Sequence, residues 1–197
     1  MADQLYLSLW FPHFDEQGML RHASSVLRQF PFSDRRGGVT YVALHPHSWS
    51  EPTIFEKRFE PPVPPEEAAA VVGEFLRGDQ ACIFSAFWDL WMPDAHSGVW
   101  HLLPAPVKLI VQGEEFEDET AEETGQIQIE FGVDTPFLHE DVRANHETDQ
   151  RVRANIQKLV EFTIKIEKNS GATGRVLWSE AEDNLAQKLI QRLQKVQ

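Results

Sequence analysis

"CIFSAFWDLWMPDAHSGVWHLLP", Cys82 to Pro104, holds three of the chain's six tryptophans, Trp88, Trp91 and Trp100, together with Asp89, Asp94, His96 and His101. Along an extended backbone Ile83, Ser85, Phe87, Asp89 and Trp91 share one face, and Cys82, Phe84, Ala86, Trp88 and Leu90 the other. Both faces carry aromatic bulk, so a strand over Ala81 to Trp91 needs cover on each side. Met92 to Gly98 then turns the chain into a second strand, Val99 to Val111. This segment joins the two halves of the chain, and it brings carboxylates and imidazoles to the joint.

Upstream, Leu5 to Trp10 reads as a strand. Met19, Leu20, Ala23, Val26, Leu27 and Phe30 recur at helical spacing until Pro31. Val39 to His45 and Thr53 to Phe59 are two further strands, parted by the turn-forming "HPHSWSEP". A helix opening at Pro65, with Glu66 and Glu67 at its positive end, runs to Gly78 and buries Val71, Val72, Phe75 and Leu76. With Ala81 to Trp91 the order is β-α-β-β-α-β, which resembles that of a ferredoxin-like split βαβ unit. The resemblance is one of element order, and implies an architecture without a chemistry.

Downstream, Val99 to Val111 and Gly125 to Val133 form a strand pair around "GEEFEDETAEETG". In the second of these, Ile127, Ile129, Phe131 and Val133 alternate with Gln126, Gln128 and Glu130, the pattern of a sheet with one wet face. A helix over about Asn145 to Lys168 comes next, then a strand over Arg175 to Trp178. Ser179 with Glu182 makes a capping box for a last helix carrying Leu185, Leu189 and Leu193. The expected fold class is α+β: a ferredoxin-like half, 1–95, packed as one structural unit against a β-β-α-β-α half, 96–197. Its sheet is expected to be mainly antiparallel, with helices on one side.

The formal charge of −13 sets the chain against nucleic acid and anionic membranes, and no run of Lys and Arg forms a basic patch. Neither a dinucleotide fingerprint nor a P-loop is present, and no strand carries the glycine-aromatic motif of RNA-recognition sheets. Cys82 is the one cysteine, which excludes an internal disulfide, and it lies on an apolar strand as a small hydrophobe. The opening residues lack a basic leader and an apolar run long enough for export, so the expected location is the cytoplasm. No cofactor and no metal are expected.

Two surfaces remain as candidates. Trp88, Trp91 and Trp100 are the residue type that anchors partner-binding faces. Glu114, Glu115, Glu117, Asp118 and Glu119 belong to a loop of seven acids, up to Glu123, that faces no base and is expected to be a solvated hairpin tip or a steering field for a basic partner. In kind this is similar to small acidic proteins that inhibit basic toxins, bacterial immunity proteins among them. The expected function is therefore non-catalytic binding of a protein partner or of a second copy. Two alternatives stand beside it. One is a hydrolase or metal-assisted enzyme using Asp89, Asp94, His96 and His101 in an aromatic pocket. The other is a small-molecule sensor.

Overall fold

A computed structural model describes residues 3–94, 97–117, 120–138, 146–180 and 185–194. Seven strands form one antiparallel sheet: β1 (Gln4–Trp10), β2 (Val39–Pro46), β3 (Phe55–Val63), β4 (Gln80–Pro93), β5 (Trp100–Gln112), β6 (Ile127–Val133) and β7 (Gly174–Ser179). Among the described residues six helices accompany them: α1 (Glu16–Leu27), α2 (Pro65–Gly73), α3 (Ala121–Thr124), α4 (Thr135–Leu138), α5 (His146–Asn169) and α6 (Leu185–Gln194). The spatial order is β3-β2-β4-β5-β6-β1-β7.

That order departs from the ferredoxin-like expectation. A split βαβ unit seats its first strand among the other three, whereas β1 pairs with β6 and β7 and is separated from β4 by β5 and β6. The first-half element order is present, but β1 crosses to the far side of the sheet. Both faces of β1 carry bulk because it is an internal strand: Leu5, Leu7 and Leu9 are buried, and Tyr6 stacks on Trp178 at 4.5 Å. The β4–β5 ladder, paired from Ala81↔Gln112 to Pro93↔Trp100, joins strands of the two expected halves in one sheet.

One face of the sheet is the core. Cys82, Phe84, Ala86, Trp88 and Leu90 of β4 lie beside Val107, Leu109 and Val111 of β5 and Ile127, Ile129 and Phe131 of β6. Met19, Ala23 and Val26 of α1 and Val152, Ile156, Leu159, Phe162 and Ile166 of α5 cover them in a single cluster. Both helices show the apolar stripe their spacing predicts, and Asp15 caps α1 by accepting from the Gly18 N–H at 2.7 Å. α2 stops at Gly73 instead of reaching Gly78. Val72 and Leu76 are buried as expected, while Phe75 is half exposed and stacks on Phe55. Ser179 closes β7, with no partner for its buried hydroxyl among the described residues, and Glu182 of the expected capping box lies outside them.

The strand ends are managed by proline. On the N-terminal side of Lys108 β5 has no β6 neighbour, and Pro104 and Pro106 lie there, offering no N–H to an incoming strand. β3 is an edge strand and carries Pro61 and Pro62 within it, which is why it extends to Val63 past the expected stop at Phe59.

Candidate functional site

The residues singled out in the tryptophan stretch do not meet. Trp88 is fully buried, and Trp100 is 5% exposed, so neither offers a binding surface. Trp91 lies at the end of β4 with the Arg151 guanidinium 4.7 Å from its ring centre, and its backbone is clamped by Asn155, which donates to Trp91 O at 2.8 Å and accepts from Trp91 N at 2.9 Å. Asp89 accepts from the Ser33 hydroxyl at 2.7 Å and the Asp34 N–H at 3.0 Å, fixing the loop that follows α1. Asp94 accepts from the N–H and hydroxyl of Ser97 within the β4–β5 turn. About 16 Å of strand separates Asp89 from Asp94 at 3.3 Å per residue. His101 is exposed on β5, and His96 lies outside the described residues. Among the described residues no three His, Cys, Asp or Glu side chains gather as a metal site. Asp89→Ala is expected to lower stability by about 1 to 2 kcal/mol in urea unfolding, through the two lost hydrogen bonds to Ser33 and Asp34. An unchanged midpoint would show that the loop holds without it.

The acidic loop is no bare tip. Phe116 is fully buried, and its ring meets Trp49 edge-on at 4.9 Å. Glu117 accepts from the Ser48 hydroxyl at 2.7 Å and the Trp49 N–H at 2.9 Å, so its charge is spent inside the fold. Glu114 and Glu115 are exposed, while Asp118 and Glu119 lie outside the described residues. The chain then returns through α3 over one end of the sheet's second face: Trp10 donates to Glu122 O and Ser8 to Thr124 O.

The rest of that face holds a groove. Register places Arg58, Tyr41, Ser85, Lys108, Glu130, Tyr6 and Trp178 in one continuous cross-strand row over all seven strands. Beside the row the β2–β3 ladder is interrupted. Val39 faces Val63 and Tyr41 faces Arg58, so Thr40 alone stands opposite four residues, Phe59 to Pro62. The outward fold of Phe59 to Pro62 raises a wall. Gly38 makes the return possible: its φ is +119°, and a Cβ there would lie 2.5 Å from the Val63 carbonyl oxygen. Thr40 donates its hydroxyl to Ser85 O at 3.1 Å, tying the bulge to β4.

The groove measures about 870 Å³, within the range of small-molecule sites. Its floor and walls come from Tyr41, Ser85, Phe87, Pro61, Pro62 and Pro106, and its charges from Arg36, Arg58, Lys108 and Glu60. Arg36 lies 4.6 Å from the Phe87 ring centre and Arg58 5.5 Å from that of Tyr41. Lys108 reaches Glu130 at 3.3 Å with half its side chain in water, so that pair is weak. Tyr41 donates to Glu56 at 2.9 Å; burial, with that bond, raises its hydroxyl above the ordinary value, and Arg58 opposes the shift. The hydroxyl thus keeps its proton at neutral pH.

The chain matches no family model, no curated protein and no solved structure.

The groove's cations are not neighbours along the chain. Arg36, Arg58 and Lys108 come from a loop, an edge strand and a central strand, far apart in sequence, and only the register gathers them. Alternation alone could have placed Tyr41, Arg58, Ser85, Phe87 and Lys108 away from the core. Which of them are neighbours depends on pairing. No described helix is long and apolar enough to cross a membrane.

Proposed function

We propose that this is a non-catalytic binding protein whose ligand is a small organic molecule seated in the groove on the sheet's second face. The observation that carries the reading is the groove's construction: apolar walls beside three cations, two of them mounted on paired strands. The lining includes no histidine or cysteine, and the carboxylates and imidazoles expected to act together are dispersed elsewhere. The two protein-binding surfaces expected from sequence are less favoured, since Trp88 is in the core and Glu117 is turned inward. Small-molecule sensing, a lesser expectation from sequence, gains from the same facts.

A ligand-observed NMR screen of small organic compounds, followed by amide-shift mapping, tests this. Hits are expected to move the amides of Tyr41, Ser85, Phe87 and Lys108 and to be lost in Ser85→Trp, whose indole fills the groove from its floor. If the wild-type chain binds no compound, or if hits leave those amides still and survive Ser85→Trp, the reading is wrong. Conversion of a hit to product would replace binding with catalysis.

A further inference from the structure

We propose that the groove's ligand is a small organic phosphate monoester, its dianionic head held by Arg36 and Arg58 and its organic body laid against Pro61, Pro62 and Pro106. This rests on the reading of the groove as a ligand site and adds the ligand's charge and chemical class.

The first argument is the state of the two arginines. Each guanidinium is held over an aromatic ring, Arg36 over Phe87 and Arg58 over Tyr41, and neither has an ion pair among the described residues. Contact with a ring face orients a guanidinium without consuming its in-plane N–H donors. Those donors are the fork that grips phosphate or carboxylate oxygens. Arg28, Arg151 and Arg175, by contrast, each sit on a carboxylate. In a chain with 31 acidic residues against 18 Lys and Arg, partners were abundant, and two arginines facing one groove repel each other. An anion in the groove relieves that repulsion.

The second argument is count and direction. One carboxylate, Glu60, lines the groove and Glu130 already holds Lys108, so the attraction for an anion rests chiefly on Arg36 and Arg58 among the three lining cations. They arrive from three elements: the loop after α1, β3 and β5. A phosphate monoester presents three terminal oxygens in different directions, whereas a carboxylate presents two in one plane. The third argument is room. A volume near 870 Å³ far exceeds what a phosphate group alone fills, and the surplus is bounded by proline rings, which suits a flat organic body.

The net charge of −13 opposes a dianion at long range. Screening cuts that field off beyond about 8 Å at physiological salt, while the groove cations act at contact distance, so the local attraction wins.

Calorimetric titration at pH 7.5 with four probes tests the proposal: phenyl phosphate, phenyl sulfate, inorganic phosphate and benzyl alcohol. Phenyl phosphate is expected to bind at least tenfold more tightly than phenyl sulfate, which has the same shape and one charge fewer, and more tightly than inorganic phosphate, which lacks the body. Arg36→Gln and Arg58→Gln, at the surface and outside the core, are each expected to weaken phenyl phosphate tenfold or more. Affinity for phenyl phosphate is expected to fall as pH drops through about 6, where the second phosphate proton returns. A phosphotyrosine decapeptide separates a free small molecule from a modified protein side chain, and is expected to bind no more tightly than phenyl phosphate. If it binds tenfold more tightly, the small-molecule assignment is overturned. Equal binding of phenyl sulfate or benzyl alcohol, with groove amides shifted, overturns the dianion and leaves the groove a ligand site. If none of the probes moves those amides, and the compound screen is also empty, both readings fall.

Discussion

Trp88→Ala is expected to lower the unfolding free energy by about 3 to 5 kcal/mol, up to half or more of what a domain of this kind holds in reserve. The indole is fully buried and lies 5.1 Å from Phe131, 5.9 Å from Phe30 and 6.0 Å from Phe137, ring centre to ring centre. Phe162 closes the layer by meeting Phe30 and Phe131 edge-on. These rings come from β4, β6, α4, α5 and the segment after α1, so a cavity at Trp88 cannot be closed by one side chain relaxing. Each wall is fixed by a different element. Trp88→Phe is expected to cost far less, under about 1.5 kcal/mol, because it keeps most of the ring and discards an indole N–H that has no acceptor among the described residues. Urea unfolding with an unchanged slope measures both. If Trp88→Ala unfolds within 1 kcal/mol of the parent, the aromatic layer is not what joins the sheet to α4 and α5.

Such a joint was legible in the sequence because alternation is a local signal. Cys82 to Leu90 and Ile127 to Phe131 each show their buried set two residues apart, and the structure buries those sets. The helices were legible for the same reason: Val152, Ile156, Leu159 and Ile166 repeat at helical spacing and face the core. Strand order was not. Leu5, Leu7 and Leu9 are compatible with any internal position, and nothing within β1 specifies β6 and β7 as neighbours over β4. β3 was expected to end at Phe59, yet an edge strand with a bulge accommodates Pro61 and Pro62 and runs on to Val63. The groove was hidden for a related reason. Arg58 and Lys108 each look like ordinary solvent-facing residues on their own strands, and only the chain of pairs Arg58↔Tyr41↔Ser85↔Lys108 makes them members of one row. Asp94, in contrast, was conspicuous by its proximity in sequence to the other acids and imidazoles, and the hairpin turn uses it locally, on Ser97.

Phe116→Ala is expected to have an effect of similar size, about 3 to 5 kcal/mol, although the residue stands among seven carboxylates. Charge dominates the composition of this loop without dominating its energetics. Unit charges about 6 Å apart in water repel by less than about 1 kcal/mol, and salt reduces this further. Burying a phenyl ring outweighs several such pairs. The loop is also held at its start and near its middle by backbone contacts. Gly113 passes so close to Gly78 that a Cβ would lie 2.0 Å from its carbonyl oxygen, and the Glu117 N–H donates to His47 O at 2.9 Å. Phe116 is thereby placed against Trp49, which in turn meets His45 on β2. Gln substitutions at the exposed Glu114, Glu115, Glu122 and Glu123 are accordingly expected to leave the melting temperature within a few degrees, or to raise it. Glu117→Ala is expected to fall between, at about 1 to 3 kcal/mol, since it leaves the Trp49 N–H and the Ser48 hydroxyl without their acceptor. Thermal unfolding of the three variants gives the ranking. A Phe116→Ala protein as stable as the parent, or a four-Gln protein that unfolds far below it, would mean that the segment is held by its charges and not by its ring.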